Sequence, residues 1–187
     1  MAAPQPFKAH PDIERVLLDE SQIKARVQEL AREISRDYAG RCLTLVGILK
    51  GSVVFLGELM RQLSVDCTVD FMCLSSYEGG GSTGVVRVLL DLRENAEGRD
   101  ILVVEDIVDT GLTLHYLLDN LRTRGPRSLE VCALLDKPDC RKTQVKAKYV
   151  GFRIPNQFVV GYGLDYNEKY RNLPYVAVLK AGAIGGK

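Results

Sequence analysis

The sequence predicts an α/β fold built on a central parallel sheet flanked by helices. Two runs, 43–49 and 101–104, are almost wholly apolar, as strands are when helices cover both faces of their sheet. Each passes through a short turn into apolar residues at helical spacing. These are Val54, Phe55, Leu59 and Leu63 after the first run, and Leu114, Leu117, Leu118 and Leu121 after the second. Strand and helix alternate in this way from 43 to 135, the pattern of parallel strands joined by crossover helices.

The first dozen residues, rich in Pro and Ala, read as a loose arm. Segment 14–19 carries Val16, Leu17 and Leu18 and reads as a short strand, or as a hydrophobic staple leading to Ser21 as a helix N-cap. A helix over 21–38 places Ile23, Val27, Leu30, Ala31 and Ile34 on one face, with Gly40 as its stop. Strands are expected over 67–74 and 85–90. The loop between them contains Gly79, Gly80 and Gly81 and is longer than an ordinary hairpin connection, although a plain linker is one reading of it. Gly125 and Pro126 stop the last crossover helix. Strand-like runs follow over 128–135, 149–152 and 175–179, together with the mixed stretch 158–168.

A chain of 187 residues is long enough for one well-covered α/β domain and short for two. With 46% hydrophobic and 26% charged residues it has the composition of an ordinary soluble protein. Lys plus Arg number 25 against 24 for Asp plus Glu, so no overall basic excess points to nucleic acid or an anionic membrane. The 5 cysteines are an odd number with no Cys-x-x-Cys pair, which favours reduced structural thiols. There is no apolar stretch near membrane-spanning length and no signal-peptide pattern at the start, so a cytoplasmic protein is expected. His10 and His115 have no evident partners, and neither a His-based triad nor a zinc site is expected.

Chemistry concentrates where the run 101–104 meets Glu105, Asp106 and the turn Asp109-Thr110-Gly111. A strand-to-helix junction leaves the first helical N–H groups unpaired at the sheet's carboxyl edge, where the helix dipole favours an anion. Gly111 lets the backbone approach closely, and Thr110 and Thr113 add hydroxyl donors, so the turn suits a phosphate. Neither a Walker A lysine nor the glycine spacing of a dinucleotide fingerprint is present. Taken singly, Glu105 and Asp106 could cap the strand, and Asp109 or Thr110 could be a helix N-cap. Together, an apolar strand, Glu-Asp, Asp-Thr-Gly and a closing Thr resemble the signature of the phosphoribosyltransferases.

That resemblance implies that Asp109, Thr110, Gly111, Leu112 and Thr113 hold the 5-phosphate of phosphoribosyl pyrophosphate, while Glu105 and Asp106 hold the ribose hydroxyls. Further matches resemble the purine-salvage, hypoxanthine-guanine branch and cover about 19–179. The turn Lys50-Gly51 looks like its pyrophosphate loop, in members of which the bond before the lysine is cis, although in isolation a loop lysine and a turn glycine explain the pair better. Ser76 and Tyr77 resemble the pair on a mobile lid that closes over pyrophosphate, and Arg171 looks like a further pyrophosphate contact. Lys137 matches the lysine that donates to the purine 6-oxygen. Phe158, Val159, Ile107 and Asp165 complete the purine-binding set. Read alone, Phe158 could be core and Arg171 a surface ion pair.

The implied fold is a single phosphoribosyltransferase domain over 1–187. It has a core of about 40–146 and a small hood built from about 12–20 and 147–180. The implied reaction transfers the phosphoribosyl group to N9 of hypoxanthine or guanine, with Asp109 as proton acceptor. Mg²⁺ is the implied cofactor, near Glu105, Asp106 and Asp165. A homodimer or homotetramer is expected, with small-molecule substrates, no membrane and no nucleic-acid partner. Two rivals keep the same cradle: a regulator that binds nucleic acid and only senses the sugar phosphate, and a sister transferase acting on a pyrimidine or adenine. The first would need a basic face, and the second would lose Lys137 and the aromatic base contact.

Overall fold

The computed structural model describes residues 10–76 and 86–184. The six-stranded sheet has the order β4-β3-β2-β5-β6-β7. These strands are β2 (Leu43–Leu49), β3 (Cys67–Ser76), β4 (Val86–Leu90), β5 (Asp100–Val108), β6 (Ser128–Asp136) and β7 (Tyr149–Arg153). All run parallel except the edge strand β4, which is antiparallel to β3. The lid expected between β3 and β4 lies outside the described residues, as does most of the N-terminal arm.

Helices α1 (Glu20–Asp37) and α2 (Val53–Gln62) cover one face and α3 (Leu112–Arg122) the other. Ile23, Val27, Leu30, Ala31 and Ile34 of α1 are fully buried, and burying each of the Val, Leu and Ile side chains stabilises by about 1.5–3 kcal/mol. The helix begins one residue earlier than expected, and its N-cap is Asp19 rather than Ser21. Asp19 accepts from the Gln22 N–H at 2.9 Å while Gln22 reaches back to the Asp19 N–H, a capping box that Ser21 only supports by donating its hydroxyl to Asp19. Tyr38 ends the helix, and Gly40 turns the chain at φ +73°.

Strand β5 also departs from expectation. It does not stop at Glu105 and Asp106 but carries both as strand residues through to Val108, paired with β6 from Asp100↔Ser128 to Val108↔Asp136. The carboxylates are therefore not strand caps. Likewise α3 is capped by Gly111 at φ +79°, not by Asp109 or Thr110, which form the turn before it.

A separate three-stranded antiparallel sheet, β1-β9-β8, is made from β1 (Ile13–Leu18), β8 (Val159–Val160) and β9 (Val176–Leu179). It encloses its own cluster of Ile13, Val160, Leu173, Tyr175, Ala177 and Leu179. Strand β7 pairs with β6 in the large sheet, so the hood's strands begin only at Val159 on the C-terminal side. No helix among the described residues is long and apolar enough to cross a membrane.

Candidate active site

Because β2, β5 and β6 are parallel, their carboxyl ends lie side by side, where open α/β sheets bind ligands. Three turns leave from that edge: Lys50-Gly51 after β2, Asp109-Thr110-Gly111 after β5, and Lys137 after β6. The register Val108↔Asp136, together with the Lys137 N–H donating to the Val108 carbonyl at 2.9 Å, sets Lys137 beside Asp109. Lys137 Nζ reaches Asp109 Oδ2 at 3.0 Å. The lysine is buried while Asp109 is 46% exposed, so the ammonium sits under a carboxylate that solvent can reach.

The turn after β5 encloses a hollow of about 130 Å³ lined by Glu105, Ile107, Asp109, Thr110, Gly111 and Thr113, among others. Gly111 is required here twice over, by its positive φ and by crowding. A Cβ would lie 2.7 Å from Thr143 Oγ1 and 3.1 Å from Arg141 Cδ. Arg141 braces the turn from behind, donating to the Asp109 carbonyl at 2.8 Å and pairing with Asp136. Leu112 is half exposed at the start of α3, and Thr113 follows it in the first turn.

At the floor of the edge, Glu105 is buried. Its carboxyl is pushed well above the ordinary glutamate value, first by burial and then by the charge of Asp106. Burial also raises Asp106 to about 6, with Asp165 adding repulsion, while backbone N–H donors and Arg171 pull the other way. Asp106 presses against the Lys50 turn so closely that a Cβ on Gly51 would fall 1.6 Å from Asp106 Oδ2. Gly163, at φ +100°, packs against that turn in its own way, since a Cβ there would lie 2.0 Å from the Gly51 carbonyl oxygen. The Leu49-Lys50 peptide is cis.

The segment 161–171 closes the site from the hood side. Arg171 donates to the Gly163 carbonyl at 2.8 Å and pairs with Asp165 at 2.8 Å and Glu168 at 3.3 Å. Its Nε is buried with no hydrogen-bond partner. Glu168 also meets Lys50 Nζ at 2.9 Å, and this lysine holds its carboxyl below the ordinary value. A larger hollow, of about 650 Å³, lies along the outer side of residues 168–173 towards His10 and Asp12.

Phe158 is 49% exposed and meets Tyr166 edge-on, with ring centroids 5.6 Å apart, so it is not a core residue. Val159 beside it is buried in the hood sheet. Ser76 ends β3, and Tyr77 lies outside the described residues. Both histidines have acidic neighbours, His10 with Asp12 at 3.6 Å and His115 with Asp119 at 3.4 Å.

Glu105, Asp106, Asp109, Lys137, Asp165 and Arg171 thus surround one edge of the sheet. Among the described residues, no three or more His, Cys, Asp or Glu side chains are gathered into a ready-made metal cage. Sequence reasoning assigned no role to Glu168, Gly163 or Arg141. Their contacts bridge distant segments, and only the Gly-Tyr-Gly spacing around Gly163 hinted at a special backbone.

The phosphoribosyl transferase domain family matches residues 16–167. A hypoxanthine-guanine phosphoribosyltransferase of Mycobacterium avium is 52% identical over 183 residues, covering 94% of this chain and 90% of the relative. One from Staphylococcus epidermidis is 50% identical over 173 residues, covering 92% and 97%. The crystal structure of a hypoxanthine phosphoribosyltransferase from Staphylococcus aureus superposes with a TM-score of 0.91 at 47% identity, covering 95% of this chain and 97% of that one. The apolar strand, the acidic pair Glu105-Asp106 and the Asp-Thr-Gly turn all lie within the matched region, and the chain belongs to the phosphoribosyl transferase domain family.

Proposed function

We propose that this chain is a purine-salvage enzyme that transfers the 5-phosphoribosyl group from phosphoribosyl pyrophosphate to N9 of hypoxanthine or guanine, giving IMP or GMP and pyrophosphate. The named relatives support the reaction class. The single observation that carries the choice of base is the Lys137–Asp109 pair at 3.0 Å beside the phosphate-sized hollow. An ammonium group offers only donors, which suits a 6-oxo acceptor and opposes the amino group of adenine. A carboxylate beside it can take a proton from the imidazole side of the same base.

In this reading the N–H groups and hydroxyls of Thr110, Gly111, Leu112 and Thr113, with the Asp109 backbone, hold the 5-phosphate. Glu105 and Asp106 accept from the ribose hydroxyls. Lys50, Gly51 and Arg171, with Ser76 and Tyr77, receive the pyrophosphate. Phe158 stacks on the base, Val159 reads its edge through the backbone, and Ile107 packs beneath it. The bond from the anomeric carbon to pyrophosphate breaks with its electron pair on the leaving oxygen, N9 bonds to that carbon, and the purine proton passes to Asp109. Charge develops on the ribose and on the leaving group, so positioning and fixed charges supply most of the acceleration.

Mg²⁺ is the proposed cofactor. The donor set fits it, since Glu105, Asp106 and Asp165 offer only carboxylate oxygens, and burial with mutual repulsion already raises Asp106. When bound, the ion would neutralise diphosphate charge, with Asp165 as the protein ligand and Glu105 and Asp106 nearby. A cytoplasmic location and a homodimer or homotetramer belong to the same proposal. Val53, Val54 and Met60, exposed on α2, are apolar residues that a second subunit could cover.

The test is incubation with phosphoribosyl pyrophosphate, Mg²⁺ and each of hypoxanthine, guanine, xanthine, adenine and uracil. Nucleotide should form from the first two. Product from adenine or uracil alone would contradict the assignment.

A further inference from the structure

We propose that Glu168 stands in for pyrophosphate in the free protein, holding Lys50 and Arg171 until the diphosphate displaces it; this rests on the function proposed above. Glu168 uses both carboxylate oxygens, Oε2 on Lys50 at 2.9 Å and Oε1 on Arg171 at 3.3 Å. One anion thus bridges two cations from distant parts of the chain, as a diphosphate would. The position is built for this. Asn167 and Glu168 adopt φ of +53° and +61°, and the Glu168 N–H donates to Asp165 Oδ2 at 2.9 Å, which fixes the backbone beneath the side chain.

The two cations are held unequally. Arg171 is 24% exposed and stays anchored by the Gly163 carbonyl and Asp165 whether or not Glu168 is present. Lys50 and Glu168 are 64% and 65% exposed, and exposed ion pairs contribute little. The substitute is therefore weak enough to leave. A diphosphate brings more charge and more acceptor oxygens to the same two cations and wins the exchange. After transfer, the returning carboxylate competes with product pyrophosphate and favours its release.

A merely structural Glu168 would make the opposite prediction, because loosening its turn should weaken pyrophosphate binding. The direction of the effect therefore decides. Binding of pyrophosphate in the presence of Mg²⁺ is measured by calorimetry for the wild type, Glu168→Gln and Glu168→Ala, with GMP alone as a reference ligand for the phosphate cradle. Both variants should bind pyrophosphate about three- to tenfold more tightly, the scale expected for losing two weak competing contacts. GMP affinity should stay within about twofold, and KM for phosphoribosyl pyrophosphate should fall without a rise in kcat. Wild-type binding with variants that bind no tighter would overturn this proposal and leave the enzyme assignment standing. A wild type that binds neither pyrophosphate nor GMP would overturn both.

Discussion

Lys137 Nζ lies 3.0 Å from Asp109 Oδ2, with the lysine buried and the carboxylate half exposed. Each group is the other's charge partner in the free protein, and each is assigned to a different edge of the same purine. Binding a 6-oxopurine would exchange one internal contact for two external ones, so the pair waits with its charges compensated. Removing either side chain alone changes the other's surroundings, and isosteric substitutions are the informative ones.

Asp109→Asn keeps shape and still offers Oδ1 to Lys137, but it cannot take a proton. We expect kcat to fall about 10²- to 10⁴-fold, with a folded protein and little change in KM for phosphoribosyl pyrophosphate. Steady-state kinetics with a melting curve check this, and turnover like the wild type would remove Asp109 from proton transfer.

Lys137→Gln offers either a donor or an acceptor at the same place, so the preference for hypoxanthine over adenine should narrow. An unchanged ratio of kcat/KM for the two bases, in a folded variant, would mean that another group reads position 6.

Gly163→Ala should damage the Lys50-Gly51 turn, the proposed pyrophosphate loop, from outside it. The new Cβ would meet the Gly51 carbonyl oxygen at 2.0 Å, at a backbone φ of +100° that alanine resists. We expect a loss of about 1–3 kcal/mol in urea denaturation and weaker pyrophosphate binding. A variant with both quantities unchanged would show that the two glycines do not need each other.

These relationships divide cleanly by how far apart their partners are in the chain. Strand β2 occupies 43–49 as its apolar run implies, and α3 begins one turn after the acidic pair, because both depend on local pattern. Glu105 and Asp106 misled in one respect. Charged residues are ordinarily excluded from sheet interiors, so a pair of them reads as a strand's end, yet here they continue β5. Ser21 looked like the cap because its side chain suits that role, while Asp19 forms the reciprocal bond with Gln22 that decides it. The crowding of Gly51 by Asp106 and the reach of Arg141 to Asp109 join residues far apart in sequence, and no local pattern encodes them.

Asp106 gives a pH dependence with a definite sign. A carboxyl raised to about 6 keeps its proton in the folded chain after the unfolded chain has lost it near the ordinary 3.8. Stability from Asp106 is therefore lost as pH rises between those values and is flat above them, a cost on the order of 2–3 kcal/mol. Asp106→Asn removes the titration, so the variant should gain on the wild type from pH 4 to pH 6.5 in urea denaturation. A difference that stays constant across that range would show that Asp106 does not carry this burden.

This edge of the sheet either performs transfer chemistry on a purine or only senses a sugar phosphate while the protein binds nucleic acid, and the two are separable. The direct measurement is steady-state formation of IMP from hypoxanthine, phosphoribosyl pyrophosphate and Mg²⁺, run beside retention of labelled RNA at near-physiological salt. Turnover of roughly 1–10³ s⁻¹, within the usual range for enzymes, is expected, with only weak, unselective RNA retention that fades as salt rises. Absent turnover with tight, selective RNA binding would contradict the enzyme assignment.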